Sequence, residues 1–306
     1  MATSNHAKKS PMLSIIILNY NTAQMTAECI ESVYTSCKAL DPTEFEVIVF
    51  DNASKDDSST VLSKYKNKHD NYVFMESKEN IGFGPGNNRA VDKSQGEYIL
   101  FLNSDIIVID DAIPTLWKYY FENKKTVHFA GGKLLNKDKT PQSSGGPFYT
   151  LPVVFGALFL RGDYWGLTRS SPSQTQQLDW ISGACIMTTK EIFNKVGRFD
   201  EEIFMYMEEI DLLYRARKQG YMTYVYPQAQ FIHLGSASSQ GKTYPILQVY
   251  RGFLYFYTKH YDKFSMMVLK GMLQLKALLA WSLGKLTGNT YLIQTYEKAY
   301  RMATMA

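Results

Sequence analysis

Two groups of residues in this 306-residue chain have types and spacings that could do chemistry: Asn103-Ser104-Asp105 with His233, and Glu208-Glu209-x-Asp211. Asn103-Ser104-Asp105 follows the apolar run 98–102, so it places a carboxylate at the end of a buried strand. One or two carboxylates commonly hold a hard cation such as Mg²⁺ or Mn²⁺ while diphosphate oxygens and water fill the other positions. His233 ends another apolar run and offers an imidazole suited to Mn²⁺, although a lone histidine is more often structural. Glu208, Glu209 and Asp211 open a helix directly after Phe204-Met205-Tyr206. Acids are favoured in a first helical turn by the macrodipole. A carboxylate crowded by other carboxylates and aromatics can also have its proton affinity raised and act as a general base toward a hydroxyl. Spacing alone fits both roles.

Elements must bring these groups together. The runs 13–18, 47–50, 72–75 and 98–102 are short, continuous and apolar, as in strands buried on both faces of a parallel sheet. Helical stretches at 23–40, 57–67, 88–94 and 112–122 alternate with them, which predicts a doubly wound α/β half over residues 11–125. Ligands of such sheets bind beyond the carboxyl ends of the strands. Here those ends are polar: Asn19-Tyr20-Asn21, Asp51-Asn52-Ala53-Ser54, residues 80–88, and Asn103-Ser104-Asp105. Turn chemistry accounts for some of these residues; four such clusters on one edge indicate a site.

Residues 136–178 are rich in Ser, Gly, Pro and Gln and read as a long loop. A strand at 179–188, a helix at 190–196, a helix at 208–219 and a strand pair at 222–226 and 230–234 follow, and from Pro245 the pattern is helical and aromatic. From Lys242 onward nine Lys/Arg stand against Asp262 and Glu297, a net charge of +7, which leaves −3 for the rest of a chain whose total is +4. A basic tail mixing Lys with Met, Leu and Trp281 suits an anionic membrane surface, and equally a helical cap or a partner protein. No segment of 18 to 20 apolar residues is evident: 151–160 is too short, and Lys270 and Lys276 interrupt 264–284. Lys8-Lys9 before residues 12–18 imitates a signal peptide but lacks a small-residue cleavage site. Cys29, Cys37 and Cys185 form no CxxC or zinc pattern, as expected of a reduced, cytoplasmic protein. Gly82-Phe83-Gly84-Pro85-Gly86 matches neither GxGxxG nor a P-loop, which counts against a dinucleotide-dependent oxidoreductase and an NTPase. The sequon Asn52-Ala53-Ser54 is coincidental in such a setting.

The segments IIILNYN, VIVFDNASKDDS, ENIGFGPGNNRA, YILFLNSD, DWISGACIMTTKEIFNKVGRFDEEIFMYMEEIDLLYRARKQGY and FIHLGSAS occur in the order found in GT-A-fold family 2 glycosyltransferases. The chain resembles bacterial rhamnosyltransferase-like members over residues 13–238. The resemblance implies an α/β GT-A domain over 11–243, with a mostly parallel sheet flanked by helices, and a basic, aromatic-rich helical segment over 244–306. It implies inverting transfer of a sugar, rhamnose by closest resemblance, from a nucleoside-diphosphate donor to a hydroxyl of a glycan or polyprenyl-diphosphate-linked acceptor in cell-surface polysaccharide synthesis. By the same resemblance Asn19, Asn21, Asp51 and Asn52 contact the nucleoside, while Asn80, Gly82 and Asn88 line the donor pocket, beside Asn103 and Ser104. Asp105 binds Mn²⁺ or Mg²⁺ with His233 as second ligand, and Asn103 stands where many relatives have Asp. Trp180 and Gly183 lie beside the acceptor. Glu209 is the base, with Glu208 and Asp211 as alternatives, because this sequence has Glu-Glu where the family usually has Glu-Asp. A peripheral place on the inner face of the cell membrane, through the tail, goes with a lipid-linked acceptor.

Three other readings remain at this level. A nucleotide-sugar-binding scaffold without turnover fits Asn103 and the Glu-Glu pair. A nucleotidyltransferase resembles a GxGxR loop after the first strand, where this chain has Asn19-Tyr20-Asn21-Thr22. Nucleic-acid binding is not expected, since only the basic tail suggests it.

Overall fold

The computed structural model describes residues 11–235 and 243–305. Lys8-Lys9, the end of the FIHLGSAS segment and Lys242 lie outside the described residues. The chain runs β1 (Leu13–Asn19), α1 (Ala23–Ser36), β2 (Phe45–Asp51), α2 (Ser58–Ser63), β3 (Tyr72–Glu76), α3 (Phe83–Lys93), β4 (Tyr98–Asn103), β5 (Ile106–Val108), α4 (Ala112–Asn123) and β6 (Phe129–Leu135). Then follow β7 (Gly145–Gly146), α5 (Leu151–Phe159), β8 (Gln176–Leu178), β9 (Trp180–Ile181), β10 (Cys185–Thr189), α6 (Lys190–Val196), α7 (Glu208–Lys218) and β11 (Thr223–His233). Three helices close the chain: α8 (Thr243–His260), α9 (Lys263–Thr287) and α10 (Thr290–Met305).

The main sheet has the order β3-β2-β1-β4-β10-β6-β11-β5, with β8 paired to β11. β1 pairs in parallel with β2 and β4, and β2 with β3. Successive side chains of a strand point to opposite faces, and here each face is covered: Ile16, Ile48 and Phe101 enter one apolar cluster, while Ile15, Val47 and Leu100 enter the other. That double burial is why these strands lack polar alternation. The register aligns Asn19 with Asp51 and Leu18 with Asn103, so the polar strand ends meet along one edge.

The second half departs from expectation. The stretch read as a loop contains β7, β8 and the apolar helix α5, which starts with Pro152 in its first turn, where no N–H is needed. The expected strand over 179–188 divides: β9 pairs with β7 in a separate two-stranded sheet, and β10 enters the main sheet antiparallel to β4 and β6. The expected strand pair is one strand, β11, parallel to β6, with its register shifted between Tyr226 and Gln230. Pro227 there has no N–H for a ladder, so the chain bulges and then resumes pairing. α3 begins at Phe83 rather than 88, because Gly82 turns with φ +96° and Pro85 falls in the first turn.

α8 packs Tyr250, Phe253, Phe256 and Tyr257 into the cluster that contains Phe101. α9 buries Leu269, Leu273, Ala277 and Gly284, and Lys276 Nζ donates to the Leu158 carbonyl of α5 at 2.7 Å. By length and composition alone α9 could cross a membrane, which corrects the expectation that no segment is long and apolar enough.

Candidate active site

The strand edge opens into a cavity of about 550 Å³. One wall is made by the strand ends and the turn before α3: Leu18, Asn52, Asn80, Gly82, Asn103, Ser104 and Asp105. The facing segments give Tyr149, Leu158, Arg169, Trp180 and Gly183, and the start of α7 gives Glu208 and Glu209. His233, at the end of β11, completes the lining beside Asp105.

His233 Nε2 lies 3.3 Å from Asp105 Oδ1 and 3.4 Å from Asn103 Nδ2. The other ring nitrogen, Nδ1, is 2.7 Å from Gln142 Oε1. The Gln142 amide nitrogen already donates to the His233 carbonyl and to Asn136 Oδ1, so its oxygen faces the ring and accepts from Nδ1–H. With Nδ1 turned to Gln142, Nε2 is the ring nitrogen that faces Asp105 and the Asn103 amide, where an imidazole and a carboxylate together could hold a cation. Asn103 Oδ1 is buried beside them without a hydrogen-bond partner. A carboxylate, an imidazole and an amide oxygen fit Mn²⁺ or Mg²⁺. Among the described residues no group of three or more His, Cys, Asp and Glu side chains could hold a metal by itself, so the remaining positions would fall to phosphate oxygens and water.

At the other end Glu208 is buried and Glu209 partly so, and the Oε2 atom of each is buried without a partner. Burial raises the proton affinity of both carboxyls. At Glu208 burial, with repulsion from Glu209 added to it, pushes the carboxyl well above the usual range, whereas at Glu209 the rise is partly offset by its own backbone N–H, the Arg169 guanidinium and the backbone N–H groups at Gly183 and Ile210. Both carboxyls of the pair are thus held above the usual glutamate range. The pair is held by an unusual turn, since Tyr206 and Met207 both have positive φ, 67° and 76°. Two glycines make room for it. A Cβ on Gly82 would lie 2.6 Å from the Phe204 carbonyl oxygen, and one on Gly252 of α8 would lie 2.6 Å from Met207 Cγ. Such backbone strain persists only where the surroundings enforce it.

Other expected residues sit differently. Asp211 is fully buried and turned into an ion cluster, with Arg215 Nε at 2.7 Å, Lys259 Nζ at 2.8 Å and His260 Nε2 at 2.7 Å. Burial would raise its pKa, but the His260 hydrogen bond and the Arg215 and Lys259 charges overcome this and hold it at about 2. It is a brace between α7 and α8, with no free oxygen to serve as a base. Asn88 donates to the Phe199 carbonyl at 2.9 Å and accepts from the Phe199 N–H at 3.2 Å, which ties α3 to the segment before α7 and keeps it out of the cavity lining. Asn19 is wholly buried: it donates to Asp51 at 2.5 Å and accepts from Thr22 and Thr26. Asp51 also accepts from Ser54, and Asn21 accepts from the Lys55 N–H at 2.7 Å. These three shape the loops behind the cavity, while Asn52 reaches its lining and clamps the turn at Asn80 and Gly82. Gln142, Tyr149 and Arg169 were not expected from the sequence. They lie in or next to the stretch read as a loop, where no periodicity marks them.

Among proteins of known activity, the chain is similar to the low-salt glycan biosynthesis hexosyltransferase of Haloferax volcanii, at 28% identity over 68% of this chain and 62% of that protein. It is also similar to the N-acetylglucosaminyl-diphospho-decaprenol L-rhamnosyltransferase of Mycobacterium tuberculosis, at 40% identity over 21% of each. This chain thus spans less than two thirds of the length of these relatives. Among solved structures, the mannosyltransferase PcManGT from Pyrobaculum calidifontis, in complex with GDP-Man and Mn²⁺, superposes with a TM-score of 0.58 at 14% identity, covering 97% of this chain and 86% of that one. That likeness establishes the fold, a GT-A-like mostly parallel sheet flanked by helices with further helices at the C-terminus. The profile described as Glycosyl transferase family 2 matches residues 14–196, more than half of the sequence, and on that match the chain belongs to this family.

Proposed function

We propose that the protein is an inverting glycosyltransferase that moves a hexosyl group, rhamnose by its relatives' names, from a nucleoside-diphosphate sugar to a hydroxyl of a glycan or polyprenyl-diphosphate-linked acceptor in cell-surface polysaccharide synthesis. The observation that carries this reading is one cavity with two unlike ends. Asp105 and His233 meet at one end, 3.3 Å apart, and Glu209 presents an uncommitted carboxylate oxygen of raised proton affinity at the other.

In this reading Asn52, Asn80, Gly82, Asn103 and Ser104 line the donor side, and Trp180 and Gly183 the acceptor side. Asp105 and His233 would hold Mn²⁺ or Mg²⁺, and a divalent cation there supplies charge stabilisation to the departing diphosphate. Glu209 takes the proton of the attacking hydroxyl. Glu208, whose carboxyl is also raised by burial and by repulsion from Glu209, stands beside it as the second carboxyl of the pair. The residues over 11–243 carry this chemistry, and the helices over 244–306 brace α7 and associate with an anionic membrane surface on the cytoplasmic side. An outward stripe on α9 supports that last role: Phe264, Met267, Leu275, Leu278 and Leu283 are exposed at helical spacing, with Lys263, Lys270 and Lys285 on the same helix.

A thermal-shift panel of nucleoside diphosphates and nucleotide sugars with Mn²⁺, Mg²⁺ or EDTA tests the donor site, because a ligand that binds only the native state raises the midpoint. A metal-dependent shift with one nucleotide family, followed by nucleoside-diphosphate release in the presence of acceptor, is expected. Donor binding without turnover on any acceptor would favour the scaffold reading instead. Flotation with anionic liposomes, comparing the full chain with one ending at Asp262, tests the membrane role; equal flotation would remove it.

A further inference from the structure

Sugar transfer leaves an electron pair on the oxygen that departs with the diphosphate, and a donor aimed at the place where charge develops lowers the barrier. The cavity lining has few donors to give. Arg169 and His233 are the lining residues, among those described, that can carry positive charge. The Arg169 guanidinium acts on Glu209, and His233 faces Asp105 and Gln142. Trp180 Nε1 donates to the Pro147 carbonyl at 2.9 Å, and Ser104 Oγ meets the Thr22 hydroxyl at 3.1 Å. The side-chain nitrogens of Asn52 and Asn103 are engaged by Asn80, Gly82 and His233.

Tyr206 differs. It lines the cavity, half-buried, and its hydroxyl has no hydrogen-bond partner among the described residues. Its phenol lies within electrostatic reach of both ends of the site, since Glu208 and Glu209 act on it from one and Asp105 from the other. Burial first, then Glu208, the neighbouring Tyr244, Glu209 and Asp105, raise the phenol above its ordinary value, so it keeps its proton and remains a donor at neutral pH. The backbone that aims it is costly for a residue with a side chain: φ is 67° at Tyr206 and 76° at Met207. That turn is held on one side by the Phe83 N–H, which donates to the Phe204 carbonyl at 2.8 Å, and on the other by the close approach of Gly252. Enforced strain of this kind gathers where a side chain must point in one direction.

We infer that Tyr206 is a further catalytic residue, whose hydroxyl donates a hydrogen bond to the oxygen that leaves with the diphosphate. The inference rests on the glycosyltransferase reading and adds to it a residue for the departing group. The bond between the anomeric carbon and that oxygen breaks, and its electron pair stays on the oxygen. The acceptor oxygen bonds to the anomeric carbon and its proton passes to Glu209, while Tyr206 keeps its own. In the intact donor the bridging oxygen is a weak acceptor, and it gains charge only as the bond breaks. The contact therefore favours the transition state and the released diphosphate over the bound donor.

The test is calorimetric titration of the full chain in Mn²⁺ with UDP, GDP and dTDP, and with UDP-glucose, GDP-mannose and dTDP-rhamnose. Tyr206→Phe removes one hydroxyl and keeps the ring and the backbone. For the nucleotide that the native chain binds, the variant is expected to weaken the diphosphate about ten- to hundredfold, the range for a lost hydrogen bond to a charged group. Its affinity for the nucleotide sugar is expected to stay as in the native chain. Tyr244→Phe, which alters the neighbouring phenol outside the lining, is expected to match the native chain with both ligands. Unchanged diphosphate affinity in Tyr206→Phe of native thermal midpoint overturns the inference. Equal loss of diphosphate and nucleotide sugar overturns the assignment to the leaving oxygen, and an equal loss of diphosphate in Tyr244→Phe overturns the assignment to Tyr206. A native chain that binds none of the six ligands overturns the glycosyltransferase reading itself, so that failure shows in the native protein and a failed inference shows only in the variant.

Discussion

Asp211 Oδ1 accepts a hydrogen bond from His260 Nε2 at 2.7 Å, which fastens the first turn of α7, two residues beyond Glu209, to the last turn of α8. Lys259 reaches the same oxygen at 2.8 Å and also Asp200 at 2.5 Å, so the segment before α7 is drawn into the same cluster. The helix that presents Glu209, the proposed general base, is thereby positioned by residues of the C-terminal part of the chain.

Replacing Asp211 should cost stability before it costs chemistry. Asp211→Asn leaves Arg215 and Lys259 facing a buried neutral amide, and removing one partner of a buried ion cluster costs about 3–5 kcal/mol. The pH dependence follows from the sign of the shift. A carboxyl held at about 2 in the folded protein contributes stability that is present above the unfolded value near 4 and is lost as the pH falls toward 2. Acid unfolding followed by circular dichroism should show this loss in the native chain and not in Asp211→Asn.

Glu209→Gln should lower turnover by about 10² to 10⁴, the usual range for a general base, while nucleotide-sugar binding persists. Burial raises the Glu209 carboxyl, so the acid limb of kcat/KM should lie above the ordinary glutamate value of about 4.3. Glu208 is raised as well, by burial and then by repulsion from Glu209, so comparing the acid limbs of Glu208→Gln and Glu209→Gln shows which carboxyl the limb belongs to, and it is expected to persist in Glu208→Gln. A limb that moves in Glu208→Gln, with native turnover in Glu209→Gln, would exchange the two roles.

Gln142 fixes which ring nitrogen of His233 faces Asp105. Gln142→Leu should weaken Mn²⁺ binding in the presence of a nucleoside diphosphate about ten- to hundredfold, as loss of a partner behind a metal ligand does. Titration followed by paramagnetic resonance of Mn²⁺ would measure it, and unchanged affinity would deny His233 a ligand's role.

Gly252→Ala tests the strained turn. The added methyl would lie 2.6 Å from Met207 Cγ and 3.1 Å from the Tyr206 carbonyl oxygen, so the turn before Glu208 must shift. A displacement on the order of 1 Å at a reacting group can cost about 10²-fold in rate. We expect kcat to fall with little change in the affinity for donor, whose lining residues on the strand edge are untouched.

The first four strands were legible because their apolar runs are buried on both faces, and β1 and β4 end within one residue of the expected positions. The polar strand ends were legible as a class, yet residue type could not tell cavity lining from support. Asn52 and Asn19 look alike in sequence, but one reaches the cavity and the other is locked among Asp51, Thr22 and Thr26. Asp211 remained a candidate beside Glu209, because two of the partners that engage it, Lys259 and His260, lie on α8, nearly fifty residues later. Arg169 and Gln142 act only through tertiary proximity, and their neighbours in sequence carry no pattern that announces it.

The antiparallel strand β10 enters the main sheet only after residues 136–184 have made their excursion from β6 across the cavity mouth. One wall of the cavity therefore comes from residues up to 105 and the facing one, apart from the start of α7, Phe253 and nearby α8 residues, and His233, from a single inserted stretch. That topology is a seam for exchange: a different insertion between β6 and β10 would reshape one wall of the cavity, the side proposed for the acceptor, while the strand edge proposed for the donor stays as it is.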